Sequence, residues 1–474
     1  VLFPTVQFAI FFPIVFLGNW LLMQHKTRWR VFMLIASYYF YGSWDWRFMG
    51  LLAGVTIVNQ GAAMVISRAE SQSTRRWALI GALTADLGAL AFFKYYGFFV
   101  TSVTSVLGRI GLEANPPLLE VILPVGISFF TFQAISYVID VYRGDLQASP
   151  WLDAAVYLAF FPQLVAGPIV RGTEFLPQLN PPRDPRRLDT TKAFYLIAIG
   201  LAKKVVIADF LATNIVDQVF AGPQFHGGLE ILIAMYAYSV QIYADFSAYS
   251  DIAIGVSLLL GFKLPDNFNS PYAALNVRDF WRRWHMTLSR WLRDYLYVPL
   301  GGNRGRSLLT YRNLMLTMLL GGLWHGAAWR FVVWGGLHAI WLTGERMLER
   351  YRDARNIPEP DSPIGNALRR IWTFHLITIA WVFFRADSVG TALELLGRVV
   401  TAFGAGATLI TPGVLLAIAV GIGAQYVSKS TVNHGLIAFS RLGPAVQGLA
   451  LAFTLVIIDA LGPEGVAAFI YFQF

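Results

Sequence analysis

Two histidines, His285 and His325, stand in tryptophan-rich apolar sequence, the first in FWRRWHMTLSRWLR (280–293) and the second in LLGGLWHGAAWRF (319–331). An imidazole exchanges a proton near neutrality, so it can serve as general base or as nucleophile. Apolar burial is costly for it, lowers its pKa and keeps it neutral, which is the form a base needs. One such histidine among Trp and Arg would read as part of an interfacial anchor. Two of them, forty residues apart, argue for use in chemistry. Gly321-Gly322 and Gly326 flank His325 and permit a close backbone approach or a helix break. His338 reads as packed or hydrogen-bonded, since a continuous helix would carry it about 140° around and ~20 Å beyond His325. His375 is read in the same way.

Other polar residues extend the set. Eight arginines and two aspartates lie between Arg278 and Arg312, with no lysine. The guanidinium fork suits phosphate, so Arg282, Arg304 and Arg306 are expected to hold a phosphorylated donor. Loop orientation and salt bridges would account equally for many of these charges. Trp324 and Asn267 join the expected donor- and acceptor-binding residues. In YADFSAYSDIAIG (243–255), Asp245 and Asp251 fall six residues apart in an apolar span and do not share a helical face, which argues against a carboxylate dyad. Asp245 is therefore either a functional residue or the partner of an arginine. Ser128, Thr131 and Gln133 read as helix-packing residues, and Lys203-Lys204 as a span boundary. No metal site is expected, because the chain has no cysteine, no HxxxH or HExxH, and no carboxylate cluster near the histidines. No P-loop or dinucleotide fingerprint is present.

The elements that position these residues are membrane helices. Of 474 residues, 56% are hydrophobic and 14% charged, against about 25% charged in soluble domains. Mean hydropathy is +0.53. The composition predicts an all-α polytopic membrane protein forming a single domain over 1–474. The net charge of +9 fits basic cytoplasmic loops; the basic residues are scattered between apolar runs, which disfavours nucleic-acid binding. Residues 1–24 read as a retained first span.

Apolar runs predict roughly eleven transmembrane helices: 6–24, 31–43, 48–66, 77–100, 119–141, 193–220, 229–261, 314–343, 372–384, 411–427 and 445–461. Pro162 and Gly167-Pro168 break 151–170. The stretch 263–312, rich in Pro and Gly, is expected to re-enter the bundle rather than cross it. Within it, 278–295 as one helix would gather Trp281, Trp284, Leu288, Trp291, Leu292 and Tyr295 in one arc, with His285 at its edge. Basic segments 25–30, 68–76 and 171–187 are expected on the cytoplasmic side, and 345–370 as a hydrophilic loop.

Longer blocks carry a resemblance. LPVGISFFTFQAISYVIDVYRG (123–144), FFPQLVAGPIVR (160–171), YADFSAYSDIAIGVSLLLGF (243–262), NFNSPYAALNVRDFWRRWHMTLSRWLRDYLYVPLGGNR (267–304), LGGLWHGAAWRF (320–331) and FIYFQF (469–474) resemble the membrane-bound O-acyltransferase (MBOAT) family, in particular its bacterial alginate O-acetylation branch. The resemblance implies a helical bundle around a central pore. It also implies that His325 acts on the acceptor hydroxyl and that His285 is the second polar position. The acyl donor, acetyl-CoA, would enter from the cytoplasm, with no permanently bound cofactor. The acceptor would be an extracytoplasmic polysaccharide, reached directly or through a periplasmic SGNH-type partner, and the location a bacterial inner membrane. Alternatives from the same reading are a D-alanyl transferase fed by a carrier protein, a lipid-linked saccharide transporter or flippase, and a structural scaffold.

Overall fold

The computed structural model describes residues 3, 5–112, 119, 121–180, 183–304, 307–359, 361–404, 406–461 and 469. Among them every regular element is a helix. The chain forms two compact units, Val1–Ala193 with Ala253–Pro265, and Phe194–Ile252 with Asp266–Phe474.

The first unit contains α1 (Val6–Leu22), α2 (Lys26–Gly42), α3 (Phe48–Arg68), α4 (Gln72–Leu90, prolonged to Arg109) and α5 (Ile127–Arg143). On α1, Val6, Ile10, Ile14, Leu17 and Leu21 are exposed at helical spacing, an apolar stripe suited to lipid. A groove of about 550 Å³ between α1 and α2 is lined by Ile10, Ile14, Ile35 and Tyr39 and contains no expected site residue. The basic segments of this unit gather at one end. Arg30 bonds Asp153 at 3.1 Å, Arg183 lies 4.1 Å over the Trp29 ring, and Arg75 donates to the carbonyl of Tyr142. This places 171–187 with 25–30, as expected. Helices Trp151–Ala159 and Phe161–Leu164 break the segment at Phe160, with Pro162 in the first turn of the second. Gly126, at φ +76°, starts α5 only 2.7 Å (from an added Cβ) from the carbonyl of Leu164, so no side chain fits there.

The second unit contains most of α6 (Gly228–Leu259, whose residues from Ala253 count with the first unit), α7 (Val277–Trp281), α8 (Met286–Leu292), α9 (Ser307–His325), α10 (Trp329–Ala354) and α11 (Pro363–Arg385). Three sequence expectations change here. The run 314–343 is not one helix but an antiparallel hairpin that turns at 326–328. The helix expected over 278–295 is broken at 282–285. The stretch 345–370 is mostly helical, because α10 continues to Ala354 and α11 starts at Pro363.

Among the described residues three helical segments are long and apolar enough to cross a membrane: Phe48–Arg68, Gln72–Arg109 and Pro363–Arg385. A pair bent by 92°, Pro412–Tyr426 and Lys429–Ser440, makes a fourth if counted as one span. Eleven single-helix crossings are thus not confirmed among the described residues. The hairpin divides one predicted run, α2 and α1 are 17 residues each, and the predicted span 119–141 becomes helical only at Ile127. Charged residues interrupt others, as Asp245 and Asp251 do in α6.

Candidate active site

His285 owes its position to a strained turn. Asn276 starts α7, its side chain accepting from the N–H of Asp279 at 2.7 Å. The Glu345 carboxylate on α10 accepts from the N–H groups of Val277 and Arg278 at 2.7 and 3.1 Å, where the helix terminus favours negative charge. Arg278 and Glu349 form a two-bond fork at 2.8 Å. After Trp281 the chain unwinds, and His285 takes the left-handed conformation at φ +41°. For a residue with a side chain this costs about 1–3 kcal/mol, so neighbours must impose it. Asn267 does so. Its carbonyl accepts from the N–H of Met286 at 2.9 Å, and its Oδ1 accepts from the N–H and hydroxyl of Thr287 at 3.3 and 2.9 Å. Its Nδ2 donates to Ser250 at 3.2 Å. Asn267 is 1% exposed and shapes the histidine turn from within. Asn267→Ala should lower stability by about 1–3 kcal/mol, the cost of losing its buried side-chain bonds to Thr287 and Ser250. Thermal melts of the solubilised protein read this, together with a loss of activity larger than the loss of folded protein.

His325 is the last residue of α9. Gly322 and Gly335 let α9 and α10 touch backbone to backbone: a Cβ on Gly322 would stand 2.2 Å from the carbonyl oxygen of Phe331, and one on Gly335 2.3 Å from that of Met318. Gly335→Ala should therefore force the hairpin apart at a cost of about 1–3 kcal/mol or more, lowering the melting temperature and displacing His325. Arg330, at the start of α10, donates to the carbonyls of Phe384, Arg385 and Ala386 at 2.9, 3.3 and 2.7 Å, closing the end of α11.

Aromatic rings join the two histidines. Trp324 lies 6.1 Å from the His285 ring and 4.9 Å from the His325 ring. Trp334 and Phe384 stand 5.0 and 5.2 Å from His325. Phe246 meets His285 edge-on at 4.6 Å. His285 is fully enclosed, while His325 keeps 4% exposure. The hairpin also returns His338 to this cluster, with its ring 4.7 Å from Trp334. It is hydrogen-bonded, as its surroundings suggested, but it lies much nearer the site than a continuous helix would allow. Trp334, Phe246 and Phe384 escaped the sequence reading. The one signal for Trp334 and His338 was their four-residue spacing beside a glycine-rich turn.

The remaining expected residues divide. Arg282 and Arg304 are exposed, and Arg306 lies outside the described residues. Arg283 and Arg293 pair with Asp279 and Asp294. Asp245 is held by a lysine rather than an arginine: Lys204 contacts Asp209 at 2.8 Å and Asp245 at 3.0 Å. Lys203 likewise meets Asp251 at 2.5 Å. Both lysines are thus paired inside the unit. His375 bonds Tyr236 at 2.8 Å and the carbonyl of Ile371. Of FIYFQF, Phe469 packs 4.9 Å from Tyr249 and 6.1 Å from Phe246; 470–474 lie outside the described residues. No group of three or more His, Asp or Glu able to hold a metal occurs among the described residues.

This pairing of enclosed histidines has a family setting. Residues 141–385 match the membrane-bound O-acyltransferase family model, a segment that includes both histidines. The chain belongs to that family and is a multi-pass membrane O-acyltransferase. It is 42% identical over 400 residues to Probable alginate O-acetylase AlgI of Azotobacter vinelandii, covering 83% of this chain and 77% of that one. It is 38% identical to Peptidoglycan O-acetyltransferase of Helicobacter pylori, covering 83% and 78%. Identity to Teichoic acid D-alanyltransferase of Bacillus subtilis is 29%, over 55% of this chain and 68% of the relative.

Proposed function

We propose that this protein moves acetyl groups from cytoplasmic acetyl-CoA to an extracytoplasmic polysaccharide at a bacterial inner membrane, directly or through a periplasmic SGNH-type partner. The observation that carries the reading is the convergence of His285 and His325 on the Trp324 indole in a chain so similar to an alginate O-acetylase. A neutral imidazole at His325 takes the proton of an incoming hydroxyl as its oxygen attacks the thioester carbonyl carbon. The C–O bond forms, the C–S bond breaks, and the departing thiolate takes that proton back. The products are an ester and free coenzyme A. His285 positions the reactants. Exposed Arg282 and Arg304, with Arg306, hold the nucleotide phosphates. Trp324 spaces the two histidines. Asn267 and Asp245 act through the frame, one by shaping the turn and the other by its ion pair. A central pore brings donor and acceptor to His325 from opposite faces, and broken helices complete the crossings beyond those long enough to span. The near-enclosure of His325 means that elements around it must move apart for substrates to enter.

Acetyl is favoured over D-alanyl because the acetyl-transferring relatives match more of the chain at higher identity. Membrane vesicles supplied with radiolabelled acetyl-CoA, polysaccharide and the periplasmic fraction test the proposal. Label should pass to the polysaccharide only when this protein is present. Continued export of unlabelled polysaccharide with no transfer would instead fit a transporter and overturn the reading.

A further inference from the structure

Two buried donors in the aromatic cluster that holds His325 have no acceptor among the described residues: Nε1 of Trp334, which packs on His325, and Nε2 of His338, which packs on Trp334. Their side chains are almost wholly enclosed, Trp334 at 1% and His338 at 0% exposure. The tautomer of His338 follows from its partner. Trp281 Nε1–H, which can only donate, lies 3.2 Å from His338 Nδ1. Nδ1 therefore accepts, and the ring hydrogen sits on Nε2. Trp334 and His338 are four residues apart on α10 and share a face. Trp334 also contacts the His325 ring, so the two N–H groups and the candidate base belong to one cluster. A buried donor without an acceptor costs about 1–3 kcal/mol. A bundle that carries two of them on adjacent turns next to its candidate base is arranged to receive an acceptor atom.

We propose that Trp334 Nε1–H and His338 Nε2–H receive the carbonyl oxygen of the acyl group in transit. The inference rests on the acyl-transfer reading and adds two residues to it. When the hydroxyl oxygen bonds to the carbonyl carbon, the π electrons of C=O move onto oxygen. That alkoxide lies against the two N–H groups. When the electrons return, the C–S bond breaks and the thiolate leaves with the proton held by His325. The donors are unchanged by the cycle. Fixed donors in a dry site stabilise such charge without having to reorient. Trp281 supports the arrangement: its hydrogen bond fixes the hydrogen on the nitrogen that faces the oxygen, and it ends α7 just before the turn that carries His285. Trp334 and His338 are thereby catalytic residues, and Trp281 a positioning residue.

The test measures kcat and KM for acetyl-CoA in the vesicle assay, with thermal melts alongside. Trp334→Phe keeps an aromatic ring and removes the N–H. It should cut kcat roughly 10²–10³-fold with little change in KM or melting temperature. His338→Gln keeps a donor near the position of Nε2 and should retain more kcat than His338→Phe. Wild-type kcat in Trp334→Phe, or a change in KM alone, overturns the proposal. Should Trp334→Phe not fold, the His338 variants decide, and equal kcat in the two overturns it. A wild-type protein that transfers no label overturns the acyl-transfer reading and this role with it; variants that match an active wild type overturn this role alone.

Discussion

His325→Ala should abolish acetyl transfer while leaving a folded protein in the membrane. The close seam between α9 and α10 is built from Gly322, Gly335 and the backbones of Phe331 and Met318, while the His325 ring adds a side-chain contact with Trp334 beside it. The hairpin therefore survives the truncation. The cost falls on the chemistry: without a base, the incoming hydroxyl must lose its proton to water as it attacks. General-base catalysis alone contributes about 10²–10⁴-fold. The measurement is label transfer per folded molecule, normalised by size-exclusion chromatography in detergent. Full activity in this variant would remove His325 from the mechanism. His285→Ala should act differently. Alanine keeps a Cβ in the left-handed turn, so the strain stays and the loss falls on positioning of the reactants.

The second large effect is on folding. Lys204→Met should leave little folded protein, because Lys204 is the shared cation between Asp209 and Asp245. Both carboxylates are nearly inaccessible, at 3% exposure each. Removing one partner of a buried ion pair costs about 3–5 kcal/mol, and here two like charges are left facing each other. Combining Lys204→Met with Asp209→Leu and Asp245→Leu should restore much of the folded yield, since apolar groups of similar size can replace a buried ionic cluster. The triple variant also separates the two roles considered for Asp245. Retained acetyl transfer assigns it to the frame; a folded but inactive protein assigns it to substrate. Normal yield of Lys204→Met alone would contradict the structural account.

The sequence disclosed the helical class, the family, both histidines and the broken segment around Pro162, because composition, long matching blocks and proline each act locally. It hid three features whose causes are not local. FWRRWHMTLSRWLR has a sound helical period, and bonds from the distant stretch around Asn267 and Asn269 hold it in a left-handed turn at His285. The segment 319–331 contains no proline, and its glycines allow either a close approach or a break, so they do not specify that Gly326 begins a reversal. That reversal is what brings His338 back to the site. The pairing of Lys203 with Asp251 joins residues on separate helices, which periodicity within either helix does not reveal. The span count suffered for the same reason: hydropathy windows treat an ion pair as two charges, although inside the fold it is one neutral object.

The contacts of Arg330 have a mechanical consequence. Its three bonds fasten the end of α11 to the start of α10, and the glycine seam fastens α10 to α9. Trp324, Trp334 and Phe384 thus ride on three rods bolted into a single plate. That plate cannot flex ring by ring around His325. Admission of a substrate must either swing it whole or draw aside what faces it, and the hinge of this enzyme is to be sought at the plate's margins rather than in the aromatic cluster itself.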